Sequence, residues 1–387
     1  MTREPSRRRG VCPRGVRTAL FVVFLVGCGA PVDAAAPVAV NVDAPPPKTR
    51  ATFQRALAAF EAHEKARDWT PASCAEVAGA FDGVGVPVAT YDAGVVHERC
   101  GEDAAALERF ERVPLPRAKT RVALLRYAKD GDVDAAIAAL DAVVHEEQFH
   151  DAEALVDLAT LQTKRGDFDA AKTNVQRALA VEEGYMPALD ALARYYLATK
   201  HADTAALVAS QAVQRDPTYA PIYNTAGLVQ IALGRTNVAV RFFRAATERD
   251  PRFFEAQMNL ARANLSYRGF GPAERAFRAA VALRPNDYDA HLGLALAIRG
   301  QLTKNDTHRI GEVKTELATC KRIDAARPEA YFNAGVLAQE YEGAFDAAIA
   351  QMTEFERRAT GRRDLADARA RAEERIADAK TARDFTK

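Results

Sequence analysis

The residues whose spacing comes nearest to a reactive site are His145-Glu146-Glu147-Gln148-Phe149-His150. Two histidines around a glutamate suit a zinc-bound water with the carboxylate as general base, provided that the imidazoles sit four residues apart on one helix. Here the second histidine comes five residues after the first. On a helix that spacing turns the rings about 140° apart and denies them a shared metal. A polar turn between helices is the simpler use of this stretch. His63, His97, His201, His291 and His308 are scattered without metal-ligand spacing. There is no glycine-rich phosphate loop and no G-x-S-x-G nucleophile elbow. The sequence therefore gives no catalytic residue, metal, cofactor or small-molecule substrate to expect, and reads as a non-enzyme.

The thiols offer a different chemistry. Of Cys12, Cys28, Cys74, Cys100 and Cys320, the second closes a distinctive run: a basic stretch ending at Arg17, apolar residues 19–26, then Gly27-Cys28. The apolar run falls short of the about 20 residues that a membrane span needs, and fits the hydrophobic region of a secretory signal. Leu25-Val26-Gly27-Cys28 resembles the lipobox of bacterial lipoproteins. That resemblance implies cleavage before Cys28, thioether lipidation of its sulfur and acylation of the new N-terminus, with palmitate among the chains. Several acyl chains hold a membrane where one is marginal. An ordinary signal with an unrelated cysteine is the alternative. Gly29 and Ala30 follow, and the lack of an aspartate in second place implies the outer membrane, on its periplasmic face. Three cysteines then remain in an oxidising compartment, enough for one intrachain disulfide and one free thiol.

Charge supports this division. Lys+Arg and Asp+Glu nearly cancel over the 387 residues, at 53 against 52. Residues 1–27, however, hold six arginines against Glu4. Without them the body is mildly acidic, at about −4, and lacks the basic footprint of a nucleic-acid binder. At 48% hydrophobic and 27% charged, the chain has the composition of a folded protein.

The elements that must position any site are helices. Residues 28–50 form a Pro/Ala-rich tether with Pro45-Pro46-Pro47. From about residue 51 Ala, Leu, Arg and Glu dominate, and no strand-like alternation is sustained. Pro217, Pro251 and Pro285 recur every 34 residues. So do Ala171, Ala205, Ala239 and Ala273; Ala178, Ala212, Ala246 and Ala280; and the small residues Ala159, Ala193, Gly227, Ala261 and Ala295. Small residues at fixed places let paired helices approach closely, while Leu158, Leu192, Leu260, Leu294, Phe243 and Phe277 fill between them. Each proline ends a second helix, because it lacks the amide donor. Gly166 and Gly234 mark the turn within the hairpin.

This pattern resembles the tetratricopeptide repeat, most closely at Tyr223-Asn224-Thr225-Ala226-Gly227 and Phe243-Arg244-Ala245-Ala246. The resemblance implies an all-α solenoid, a right-handed superhelix of helix–turn–helix units. Residues 51–117 would be degenerate N-terminal hairpins, with Pro71 opening a helix. The array would run over 118–359, clearest at 152–287, with an insertion of about six residues around Leu302–Gly311. Residues 360–387 would be a charged cap helix. Consecutive helices of such an array are antiparallel neighbours, which would bring Cys74 and Cys100 together as a disulfide; two small buried thiols are the alternative. Cys320 reads as buried packing. First helices line the groove of this fold, and Tyr91, Arg194, Asn224, Arg262, Arg299 and Phe332 stand at groove positions. They describe a polar, partly basic surface suited to a peptide with acidic groups. The Lys/Asn clamp of chaperone-binding relatives is not reproduced, since Val156 and Asp190 stand where a clamp lysine would be.

The lipobox and repeats together resemble the tetratricopeptide lipoproteins of the gliding-motility apparatus, with Tyr91–Gly101 and Tyr331–Gly335 carrying that likeness. The expected function is an outer-membrane scaffold for protein partners in an envelope machine. The alternative is an accessory lipoprotein for pilus biogenesis, outer-membrane protein assembly or activation of a cell-wall synthase.

Overall fold

The computed structural model describes residues 47–386, apart from 67, 304 and 305. The signal, Cys28 and the tether to residue 46 lie outside the described residues. The chain divides into two compact units between Glu146 and Glu147.

The first unit holds three helical hairpins: α1 (Pro47–Ala66) with α2 (Pro71–Asp82), α3 (Pro87–Arg99) with α4 (Asp103–Glu111), and α5 (Pro116–Asp130) with α6 (Val133–Glu146). Helix begins at Pro47, four residues before the expected 51, because proline's fixed φ and missing donor cost nothing in a first turn. Pro71, Pro87 and Pro116 open helices for the same reason. Thr70 caps α2 reciprocally with Ser73, each side chain accepting from the other's backbone amide. Phe60, Val77, Phe81 and Val96 form one core cluster. Tyr91, Phe110, Val113 and Ala118 form another.

The second unit repeats the hairpin. Its pairs are α7 (Ala152–Arg165) and α8 (Phe168–Val181), α9 (Met186–Ala198) and α10 (Ala202–Arg215), α11 (Ala220–Ala232) and α12 (Thr236–Arg249), α13 (Phe254–Ser266) and α14 (Phe270–Leu283), α15 (Tyr288–Arg299) and α16 (Thr307–Ile323), and α17 (Glu329–Leu337) and α18 (Phe345–Ala359). The helix α19 (Ala366–Thr386) follows.

The expected boundary after residue 117 falls inside α5. Ala118 and Val122 of that helix pack on the Tyr91–Phe110 cluster, so α5 and α6 belong with the N-terminal hairpins and not with the array. The division comes instead beside a turn in which Gln148 and Phe149 have left-handed φ of 50° and 62°. That turn also separates His145 from His150, and no helix carries both.

The small-residue columns are interior throughout. Ala171, Ala205, Ala239 and Ala273 are fully buried, as are Ala178, Ala212, Ala246 and Ala280. A Cβ on Gly227 would stand 2.4 Å from the Phe243 ring, so glycine there is what lets α12 close on α11. Leu158 and Leu294 are buried as expected, whereas Leu192 and Leu260 are only partly buried. The helices α10, α12 and α14 end before Pro217, Pro251 and Pro285, whose rings favour extended backbone at the preceding residue, as at Asp216 (φ −136°, ψ 95°) and Asp250 (φ −131°, ψ 94°); Glu182 and Asp324 end α8 and α16 in the same conformation without a following proline. The side chains of Asp216 and Asp250 then accept from the amide two residues on, an Asx turn.

The turns inside the hairpins α7–α8, α9–α10, α11–α12 and α13–α14 each use one left-handed residue. Gly166 and Gly234 supply it, but Lys200 and Arg268 hold the equivalent positions at φ of 64° and 57°. Left-handed backbone costs a side-chain-bearing residue about 1–2 kcal/mol, partly offset by the larger folding entropy loss of glycine. Lys200→Gly and Arg268→Gly are each expected to raise stability by about 0.5–1 kcal/mol in urea titrations. A lower midpoint in both would contradict this account of the turn.

The insertion is absorbed in two places. The connection before α16 is long, and α16 has 17 residues where α14 has 14. Cys320 sits buried in α16, its thiol directed at the Tyr288 carbonyl at 3.6 Å and pushed up to about 12, mainly by burial. At the C-terminus, α19 lays buried Ala372 and Ala379 on two clusters, one with Met352 and Phe355, the other with Ala338 and Ala348. Arg375 donates to Gln339 and Glu340. The rest of α19 is largely exposed, as a cap helix requires.

Candidate protein-binding face

In the second unit the first helices α7, α9, α11, α13, α15 and α17 lie side by side, each touching the next but one in sequence. Polar side chains join them. Asn259 on α13 donates to Asn224 Oδ1 on α11 at 2.8 Å. Arg299 on α15 donates to Asn333 Oδ1 on α17 at 2.8 Å. Arg262 faces Asp289 of α15 at 3.6 Å, and Arg194 donates to Asp190 one turn back at 2.7 Å.

These contacts revise the groove set. Tyr91 is a core residue of the first unit, packed on Phe110 with ring centroids 5.3 Å apart. Asn224 is 2% exposed and committed to Asn259. Phe332 packs edge-on to Phe355 at 5.1 Å. Arg299 is desolvated, which lowers its proton affinity, and its guanidinium reaches Asn333. Only Arg194 and Arg262 show substantial guanidinium surface, and each already faces an aspartate. The surface is therefore polar and largely self-paired, with Arg194 and Arg262 each engaged by an aspartate.

A column of polar residues escaped the sequence reading. Asp92, Asp157, Thr225, Asn259 and Asn333 each stand two residues before the small residue of a first helix, as in Asp92-Ala93-Gly94 and Asn333-Ala334-Gly335. Asp92 and Thr225 are buried. The signal was a short polar residue recurring in register inside an otherwise apolar stripe.

Burial raises the Asp92 carboxyl from 3.8 to about 7, against the pull of Arg117. Between about pH 4 and pH 7 the folded state then keeps a proton that the unfolded chain has released. Stability falls as pH rises through that window and levels off above it. Asp92→Asn is expected to remove this slope and to stabilise the first unit above pH 7 by on the order of 3 kcal/mol. Denaturant melts at pH 5 and pH 8 check this; equal pH slopes for variant and parent would contradict it.

Cys74, in the first turn of α2, and Cys100, just after α3, are joined by a disulfide with Cα atoms 6.3 Å apart. Among the described residues no group of three or more His, Cys, Asp or Glu could hold a metal ion. No described helix is long and apolar enough to cross a membrane.

Paired helices in register, small residues at the pair contacts and a polar first-helix face define an all-α helical-repeat scaffold of tetratricopeptide type, with no catalytic cluster among its described residues. The tetratricopeptide repeat family matches residues 220–253, the α11–α12 hairpin. No curated protein matches the sequence. Among solved structures, the chain is similar to TTC0263, a thermophilic TPR protein of Thermus thermophilus, at 26% identity over 48% of this chain and 100% of that one, with a TM-score of 0.43. It is similar to pilF of Pseudomonas aeruginosa at 18% identity over 57% of this chain and 97% of that one, with a TM-score of 0.47. It is also similar to a human IFIT1 dimer with m7Gppp-AAAA at 17% identity over 80% of this chain and 87% of that one, with a TM-score of 0.48.

Proposed function

We propose that the protein is a lipid-anchored scaffold of the bacterial outer membrane, facing the periplasm, which holds a partner protein along the first-helix face of residues 147–387. The observation that carries the scaffold reading is that run of adjoining first helices with polar side chains. A repeat surface of this kind can accept an extended segment across several units. The anchor rests on Leu25-Val26-Gly27-Cys28. The Cys74–Cys100 disulfide supports an oxidising compartment. Within this class we assign the chain to the gliding-motility machinery, on the likeness carried by Tyr91–Gly101 and Tyr331–Gly335.

Labelled palmitate is expected to enter the chain in cells, and Cys28→Ala is expected to lose both label and membrane association. Persistence of both in the variant would refute the anchor. Affinity purification from detergent-solubilised envelopes is expected to return a motility component, and deletion of the gene is expected to abolish gliding. Normal gliding in the deletion strain would refute that assignment and leave the scaffold standing.

A further inference from the structure

The stretch of the first-helix face made by α7, α9 and α11 contains buried polar atoms that no group of the protein answers. The Asp190 side chain is 9% exposed and gives one oxygen, Oδ2, to Arg194 at 2.7 Å. Its other oxygen, Oδ1, is buried without a hydrogen-bond partner. Thr225 is fully buried, and its hydroxyl is in the same condition. Asp190 and Thr225 are separated in sequence by the same 35 residues as Asn224 and Asn259, which bond across α11 and α13. By that register Asp190 on α9 and Thr225 on α11 occupy the corresponding pair of positions. A buried carboxylate oxygen left in this way is unfavourable until a donor reaches it.

The surroundings fix the sign of that donor. Tyr185 and Tyr219 lead into α9 and α11. Burial raises the pKa of both phenols, and nearby carboxylates raise it further: Glu153, Asp157, Glu182 and Asp151 at Tyr185, Asp190 and Asp157 at Tyr219. The opposing charge at Tyr219 is Arg194, which Asp190 already holds. Among the charges acting on Tyr219, the carboxylates of Asp190 and Asp157 stand against the single guanidinium of Arg194.

We propose that this stretch receives a lysine or arginine side chain from an extended segment of the partner protein, with Asp190 Oδ1 accepting its N–H. The inference rests on the scaffold reading above and gives the chemistry of the partner. An ammonium or guanidinium offers donors only, so it meets an acceptor-rich site without stranding a group of its own. Its bond to a carboxylate is about twice as strong as a neutral one. Tyr219, near Asp190, suits the apolar stem and the cation alike. A peptide carboxylate would instead add another negative charge.

Arrays of eight-residue peptides, random except for one fixed central residue, test this on the full chain. Fixed Arg or Lys is expected to bind at least tenfold better than fixed Glu, Asp or Ala, and raised salt is expected to weaken that preference. Asp190→Asn and, separately, Thr225→Val are expected to reduce the preference while the helical circular dichroism stays unchanged. Arg194→Ala releases the second Asp190 oxygen and is expected to strengthen cation binding. A preference for Glu or Asp, no preference, or loss of binding in Arg194→Ala would each overturn the proposal. The scaffold reading fails separately, when partner contacts in cells map to the second helices.

Discussion

Phe243→Ala is expected to cost the second unit about 3–5 kcal/mol. Phe243 is 1% exposed, and its ring fills the space that Gly227 leaves open on α11. It clusters with Ala239 and Ala263, bridging one hairpin to the next. Truncation would leave a cavity bounded by helical backbone, which cannot collapse into it. Because repeats are stabilised by their neighbours, the loss should be local. Hydrogen exchange on the full chain should show deprotection of α11, α12 and α13 with α7 and α8 little changed. Phe243→Leu should recover about half of the loss. Gly227→Val drives a side chain into the same ring and should also destabilise, by at least 1–3 kcal/mol or so. Uniform deprotection of all six hairpins, or a cost below about 1 kcal/mol for Phe243→Ala, would contradict the packing account.

Replacing Cys74 and Cys100 together by serine is expected to cost the first unit about 2–4 kcal/mol. The bridge closes a sequence separation of 26 residues and ties α2 to α3 where the repeat pattern is weakest. Cys74 is buried, so each serine would also place a hydroxyl where a half-cystine packed. Comparison of reduced wild type with the double variant separates the two effects. Both should melt well below the oxidised protein. Equal melting of oxidised and reduced wild type would show that the bridge contributes nothing.

The repeat was open to sequence reasoning because its determinants are single residues at fixed spacing. Ala205, Ala212 and Gly227 are small because a helix lies against them, and that constraint returns every 34 residues. Other features depend on pairs of residues that no period announces. Arg249 lies over the Tyr223 ring at 3.7 Å and donates to the Tyr223 hydroxyl and the Pro217 carbonyl. Arg284 and Arg327 stack likewise on Phe254 and Tyr288. In sequence these are unremarkable surface arginines. The charges of the groove are a similar case. Arg194, Arg262 and Arg299 look like a basic stripe until Asp190, Asp289 and Asn333 are seen to engage them. Charge read along a chain records what is present, whereas the surface keeps only what is left after pairing.

The first unit shows the opposite case. Tyr91-Asp92-Ala93-Gly94 is legible as a repeat fragment, and Gly94 does receive Phe110 as Gly227 receives Phe243. Its Asp92, however, is buried at a carboxyl raised to about 7. Sequence places an aspartate there without revealing its burial.

The central claim is that a partner docks on the first-helix face of residues 147–387. Site-specific photo-crosslinking in cells tests it most directly, with the photoreactive residue placed in turn at Ile231 on α11, Arg262 on α13, Val181 on α8 and Leu207 on α10, all exposed. One discrete adduct from Ile231 and Arg262, with none from Val181 or Leu207, is the expected result. The same adduct from the second-helix positions, or none from the first-helix positions, would contradict the account.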